Sequence, residues 1–290
     1  MSYKRFRKAL LLLIALPLLV GVERLCHRAT DGFAMVNILP PKGDYSRFHR
    51  ETALDPVITA QTFYYFDKGA QSYVFVSEDG SVVLKLFKFQ HMRTPPILNK
   101  IPSMGPLKKK REKKRKILEE TFHSFCLAYD HMREETALIA LHLAPTTNLQ
   151  TKLTIVDKIG KRHTIDLDQT PFILQRKGEK VYHALTRWIE AGETQKAKEG
   201  LRALLSLAVS RCKRGLFDKD PDFETNFGFL ENVPFQLDFG RLSVSPEEKK
   251  KEVYAPEMIR ITQSFEGWIA ENHPLLLPTL YEVLDEITHP

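Results

Sequence analysis

Three short bursts of apolar and aromatic residues open the regular part of the chain. They are Thr62-Phe63-Tyr64-Tyr65-Phe66, Ser72-Tyr73-Val74-Phe75-Val76 and Val82-Val83-Leu84-Lys85-Leu86-Phe87. Breaks at Asp67-Lys68-Gly69-Ala70 and Glu78-Asp79-Gly80-Ser81 separate them, the second with a D-G hairpin signal. The pattern predicts three consecutive strands in an antiparallel meander. The period then lengthens. Leu118, Phe122, Phe125, Tyr129 and Met132 recur every three or four residues, which predicts helix from about 108 to 143 with one apolar stripe. A second hairpin is predicted from 153–156 and 163–167 around Lys158-Ile159-Gly160-Lys161. Pro171-Phe172-Ile173-Leu174-Gln175 is apolar enough to be an interior strand.

Helices are predicted at 180–191 and at 194–214, the latter turning Leu201, Leu204, Leu205, Leu207 and Ala208 to a core. Ser245-Pro246-Glu247-Glu248 is a helix-start signal, with Ser at the cap, Pro in the first turn and Glu three residues on. The remainder reads as helix, with breaks near Pro256 and at His273-Pro274. Strands first and helices afterwards make an α+β plan with segregated layers. The expected units are an anchor or signal at 1–28, a linker or loosely docked arm at 29–58, a sheet-rich part with inserted helix at 59–175 and a helical part at 176–290.

Charge refines this picture in one place. The net charge is +7, and residues 108–116, K-K-K-R-E-K-K-R-K, carry all of it. The rest of the chain balances 35 basic against 35 acidic side chains. A basic nucleic-acid binder is therefore not expected, and no aromatic residue interleaves the tract. Anionic lipid headgroups are its alternative partner, against a solvated helix start. Lys4, Arg5, Arg7 and Lys8 precede 14 uncharged residues, 9–22. As helix that run is roughly 21 Å long, short of the ~30 Å hydrocarbon core. Glu23-Arg24-Leu25-Cys26 is a poor cleavage site, so a single-pass anchor is expected, with a cleaved signal and secretion as the alternative. The basic flank would place the body on the non-cytoplasmic side. Three scattered cysteines, Cys26, Cys126 and Cys212, suggest neither a disulfide framework nor a zinc site.

The residues with chemistry lie late. Asp218, Asp220 and Asp222 crowd one loop, Asn226 follows, and Asp238-Phe239-Gly240 comes after the short apolar stretch Phe235-Gln236-Leu237. Earlier, Lys85 stands in an otherwise apolar strand, and its alternation partners Val83 and Phe87 put it on a buried face, where it needs a partner. Lys88, just beyond, is expected in solvent.

In motif order, residues 62–241 resemble the protein-kinase-like superfamily, and in particular its small atypical members that act on sugars, antibiotics and lipopolysaccharide. The resemblance implies a two-lobed fold with a five-stranded antiparallel sheet lobe and a reduced helical lobe. It implies ATP and Mg²⁺ as cofactors, with Gly69 and Ser72 of Gly69-Ala70-Gln71-Ser72-Tyr73-Val74 over the phosphates. Gln71 is a further donor there. Lys85 would pair with the phosphates and with a helix Glu, for which Glu119, Glu120, Glu134 and Glu135 compete and Glu135 is preferred. Asn226 and Asp238 would hold the metal, and Asp220 would serve the acceptor hydroxyl, with Asp218 and Asp222 as alternatives. The chain departs from the family pattern in having one glycine in the loop, no catalytic-loop His and six residues from Asp220 to Asn226 instead of five. Ala255-Pro256-Glu257 spells a segment-closing motif but leaves little room for an activation loop. Three readings stay open: a membrane-anchored phosphotransferase for a hydroxyl acceptor, a catalytically inactive pseudokinase serving as a binding or scaffold module, and an anchored envelope protein of unrelated α+β fold.

Overall fold

Local hairpins build the sheet from its middle outward. In a computed structural model, residue 18, residues 20–95, residue 98 and residues 105–289 are described. Strands β1 (Thr62–Lys68), β2 (Ser72–Ser77) and β3 (Val82–Phe87) pair antiparallel, with Tyr65 opposite Phe75 and Val74 opposite Lys85. Gly80, at φ 75°, supplies the left-handed residue that the D-G turn requires. Four later strands complete the sheet: β4 (Leu138–His142), β5 (Lys152–Val156), β6 (Arg162–Asp166) and β7 (Phe172–Arg176). Their order is β4-β7-β3-β2-β1-β5-β6.

The sheet is therefore seven-stranded and mixed, not five-stranded and antiparallel. β5 runs parallel to β1, so the β5–β6 hairpin extends one edge. At the other edge, β4 occupies residues expected to be helical. The helix α1 (Gly105–His131) stops early, and Ala137, at φ 52°, redirects the chain into β4. Leu138, Ala140, Leu141 and His142 are all buried, so β4 shows no alternation, and its Ala and Leu residues favour helix in isolation. Pairing with β7 overrides that preference.

Each face of the sheet carries a core. Phe87, Ile173, Leu138 and Leu141 meet the α1 stripe of Leu118, Phe122, Phe125 and Met132. Tyr73, Phe75, Leu84, Leu86 and Leu174 face the opposite side with Phe33 and Ile38. Phe33, Ile38, Tyr45 and Phe48 of the 29–58 segment are buried in these two cores. Among the described residues no helix is long and apolar enough to cross a membrane. Most of the expected anchor, residues 9–17 and 19, lies outside the described residues.

The helical part has its own core of Val181, Leu185, Trp188, Leu201, Leu204, Leu205 and Phe265. It is formed by α2 (Val181–Glu190), α3 (Thr194–Lys213), α4 (Lys251–Asn272) and α5 (Leu277–Thr288). Short strands lie at its border with the sheet: β8 (Glu179–Lys180), β9 (Leu216–Asp218), β10 (Phe227–Leu230), β11 (Val233–Gln236) and β12 (Leu242–Val244). The start signal at Ser245 yields only a 3₁₀ turn, Pro246–Lys249, and α4 begins at Lys251. Pro256 sits inside α4 without ending it, so Ala255-Pro256-Glu257 is helical. The break at His273-Pro274 is present.

Gly178 joins the two parts where no side chain fits. A Cβ there would stand 2.4 Å from the Phe235 ring and 2.5 Å from the Phe229 carbonyl oxygen. Gly178→Ala is expected to cost about 1–3 kcal/mol through overpacking. Gly267→Ala, in open space on α4, should instead stabilise by up to about 1 kcal/mol. Urea unfolding of both variants checks the contrast.

Candidate functional site

Two small ladders bring the late motifs together. β9 pairs with β12, Asp218 opposite Leu242, which joins the start of the acidic loop to the residues after Gly240. β10 pairs with β11, Phe227 opposite Gln236, which joins Asn226 to Leu237. The Leu237 and Asp238 amides both donate to the Asn226 carbonyl, at 2.7 and 3.3 Å. Asn226 and Asp238 are thus neighbours through backbone pairing, 12 residues apart in sequence.

The three aspartates occupy different environments. Asp218 is buried at 2 % exposure and accepts from Gln236 Nε2 at 2.6 Å, from the Asp220 amide at 3.0 Å and from Arg211 Nη1 at 3.4 Å. Burial pushes its carboxyl above the usual carboxylate range, against the pull of Arg211. Asp222 closes the loop's own turn, accepting from the Glu224 amide at 3.0 Å and the Thr225 hydroxyl at 2.8 Å. Asp220 is exposed, and its carboxylate meets only the half-exposed Arg241 guanidinium, at 3.3 Å, among the described salt bridges. Its carbonyl accepts from Asn226 Nδ2.

Asp238-Phe239-Gly240 is fixed from the α1 side. Phe239 packs edge-on against Phe125 at 5.1 Å, and Ser124 Oγ donates to the Phe239 carbonyl while accepting from the Leu242 amide at 2.6 Å. Lys85 Nζ donates to the Leu237 carbonyl at 2.6 Å and lies 5.4 Å from the Phe239 ring centroid. Burial pushes the Lys85 amine below its usual value, and the Asp238 carboxylate opposes that shift.

The expected Lys85–Glu135 pair does not form. Glu135 lies beyond the end of α1 and binds the Arg214 guanidinium, while its carbonyl accepts the Gln236 amide at 2.7 Å. Glu119 pairs with Arg47 at 3.0 Å, Glu120 with Lys116 at 3.7 Å, and Glu134 is exposed. Lys88 is also not where expected. It is buried, and its Nζ donates to the Gly69 carbonyl at 2.6 Å, over the Tyr73 ring.

A cleft of about 30 Å³ lies among these groups, lined by Gln71, Asp218, Asp220, Asn226, Asp238 and Arg241 together with Ala70 and Gly240. Gly69 and Ser72 do not line it. They close the hairpin, the Gly69 amide donating to the Ser72 carbonyl at 2.9 Å. Gln71 reaches across instead, its Nε2 donating to the Gly240 carbonyl at 3.4 Å. Sequence reasoning passed over Arg211, Gln236 and Ser124. Arg211 had a readable signal, since it falls three residues after Ala208 and seven after Leu204, on the buried stripe of α3.

No protein-family model matches the chain, and no curated protein does. Similar solved structures include one of the bifunctional kinase-methyltransferase WbdD, at 13% identity over 75% of this chain and 42% of that one, TM-score 0.37. A 2.2 Å crystal structure of WbdD gives 12% identity, 77% and 45% coverage and TM-score 0.38. The Rv3197–erythromycin complex from Mycobacterium tuberculosis gives 16% identity, 75% and 53% coverage and TM-score 0.34. The chain spans about half the length of these proteins. With TM-scores below 0.5, the likeness carries no functional weight, and the site stands on its own residues.

Removing the buried carboxylate should damage the fold more than removing the exposed one. Asp218→Ala strands Arg211 without its partner and is expected to cost about 3–5 kcal/mol. Asp220→Ala should stay within about 0.5 kcal/mol of wild type. Guanidinium unfolding midpoints for the two variants check this order.

Proposed function

We propose that the chain is a kinase-like protein that takes ATP and Mg²⁺ at this cleft and transfers phosphate to a hydroxyl acceptor. The observation that carries the reading is the adjacency of Asn226 and Asp238 on one side of the cleft, with Asp220 exposed opposite Arg241 and the Lys85 ammonium held at Leu237. Both metal candidates offer oxygen, the donor that Mg²⁺ takes. The Asn226 amide nitrogen is engaged with the Asp220 carbonyl, and Oδ1, which accepts the Thr225 hydroxyl at 3.1 Å, keeps a second lone pair as its ligand site. Among the described residues no group of three or more His, Cys, Asp or Glu could hold a metal. A metal here would therefore enter with the nucleotide, keeping phosphate and water as its other ligands. Mg²⁺ so bound would neutralise charge on the transferring phosphoryl group. Lys85 would exchange the Leu237 carbonyl for phosphate oxygen, and Asp220 would leave Arg241 to orient or deprotonate the hydroxyl. A membrane-anchored chain with its body on the non-cytoplasmic side, or a secreted one, is the location that fits the N-terminal sequence.

One feature favours a second reading. About 30 Å³ accommodates roughly one water, whereas small-molecule pockets run to about 300–1,000 Å³. Gln71 fills the gap so closely that a Cβ on Gly240 would lie 2.3 Å from its Oε1. With that side chain in place, the protein is a pseudokinase acting as a binding or scaffold module.

Thermal unfolding of the full chain with ATP, with and without Mg²⁺, separates the readings. Ligand at 100 times its Kd stabilises by about 2.7 kcal/mol, roughly 5–10 °C in Tm. Wild type should show that Mg²⁺-dependent shift, and Asp238→Asn should lose it. Absence of any shift in both wild type and Gln71→Gly would sink the ATP site. Should wild type shift, Asp220→Asn is expected to keep the shift and lose phosphoryl transfer. A shift in wild type with no transfer to sugar, lipid or peptide hydroxyls supports the pseudokinase.

A further inference from the structure

At the sheet edge far from α1, the last strand has one neighbour. β6 pairs with β5 and ends the order β4-β7-β3-β2-β1-β5-β6. Bonds at the two ends of this hairpin fix which way its backbone points. The Asp157 amide donates to the Lys161 carbonyl at 2.9 Å, and the Leu167 amide to the Thr151 carbonyl at 3.0 Å. Both bonds continue the register that sets Ile155 opposite His163 and Leu153 opposite Ile165. Hydrogen-bonded and non-bonded pairs alternate along an antiparallel ladder, so His163 and Ile165 bond to β5. Arg162, Thr164 and Asp166 therefore aim their N–H and C=O groups at the open edge. The Asp166 carbonyl accepts the Gln169 amide at 3.2 Å and keeps a second lone pair.

The side chains of those three residues share one face. Arg162, Thr164 and Asp166 are all exposed, while Ile165 points into the core. An open edge is a template for a further strand, and charges on it commonly keep one away. Here the placement of the charges admits one partner. Arg162 and Asp166 stand two residues either side of Thr164. A second β6 laid antiparallel about Thr164 sets Arg162 opposite the partner's Asp166, and Asp166 opposite the partner's Arg162. In that register the outward residues form the hydrogen-bonded pairs, each exchanging N–H and C=O with its opposite number. Pairings centred on Arg162 or on Asp166 would set like charges opposite, which is destabilising. Among the described residues Arg162 enters no salt bridge within its own chain.

We propose that β6 is a dimer edge, at which two copies of this chain join their sheets across a two-fold axis at Thr164. A two-fold contact requires a surface that complements itself, and a strand with a cation and an anion equally spaced about its centre is such a surface. Three strands separate β6 from β3, so the proposal is independent of the cleft and of phosphoryl transfer. One strand edge buries less than about 1,200 Å², the range of weak complexes.

The test is sedimentation equilibrium of the full chain. Wild type should be half-dimeric at roughly 10–100 μM. Thr164→Pro removes an outward N–H and leaves the bonds to β5 in place, so it should be monomeric, with the thermal midpoint of dilute wild type. Arg162→Asp and Asp166→Arg each set like charges opposite and should each weaken the dimer by at least about tenfold. An equimolar mixture of these two variants should dimerise again, because carboxylate then faces guanidinium in both pairs. Wild type that stays monomeric at ten times the expected concentration overturns the proposal, as does a dimer that survives Thr164→Pro. A mixture of the two folded charge variants that stays monomeric overturns it as well. Asp166 Oδ1 also accepts the Asp168 amide at 2.9 Å, so if Asp166→Arg fails to fold, Thr164→Pro and Arg162→Asp decide.

Discussion

The buried Asp218 carboxylate is the interaction on which the site depends. Its two oxygens collect a guanidinium from α3, a side-chain amide from β11 and a backbone amide from its own loop. Gln236 passes the constraint on, because its Nε2 also donates to the Asp238 carbonyl at 3.0 Å. One desolvated charge therefore fixes the end of a helix, the start of the acidic loop and the Asp238 backbone together. A buried ion pair of this kind adds little net stability, since desolvation offsets attraction, but each partner is held strictly to the other. It leaves Asp220, two residues on, free to face solvent.

Around this point the sheet and the helical part share one strip of backbone, residues 236–239. The strip accepts Lys85 from β3 at the Leu237 carbonyl, Gln175 from β7 at the Gln236 carbonyl and Ser124 from α1 at the Phe239 carbonyl. It donates from the Gln236 amide to Glu135. Lys85 is the strained member of this set, since its ammonium is held by a neutral carbonyl and destabilised by burial.

Much of the fold was legible because it is local. The meander, the stripe of α1 and the core face of α3 each follow from a period within one segment, and the structure buries most of their apolar residues, leaving Tyr64 and Phe66 of β1 exposed and Tyr129 of α1 half-buried. β4 was not legible: buried on both faces, it has no alternation, and its composition favours helix. Of the site, Lys85, Asn226, Asp238 and the acidic loop were picked out as residue types; Asn226, Asp238 and the loop's Asp218 and Asp220 line the cleft, while Lys85 and Asp222 do not. Gly69 and Ser72 belong to the turn behind it. Glu135 was misassigned because ion-pair choice is set by distance in space, and Arg214 at the end of α3 is nearer than any sequence rule could indicate. Lys88 was misplaced for the same reason, its charge lying over Tyr73 and against a carbonyl supplied by the preceding hairpin.

By itself the sequence determined which segments are strands and helices where periodicity is strong, where the net charge sits, and which side chains bear oxygen and ammonium groups. Those are properties of neighbours along the chain. Only the tertiary structure decided that the sheet has seven strands with one parallel pair, that Asp218 is buried and Asp220 exposed, and that Gln71 lies across the cleft. Each of these depends on which distant groups desolvate one another, and burial of charge is settled by packing in three dimensions.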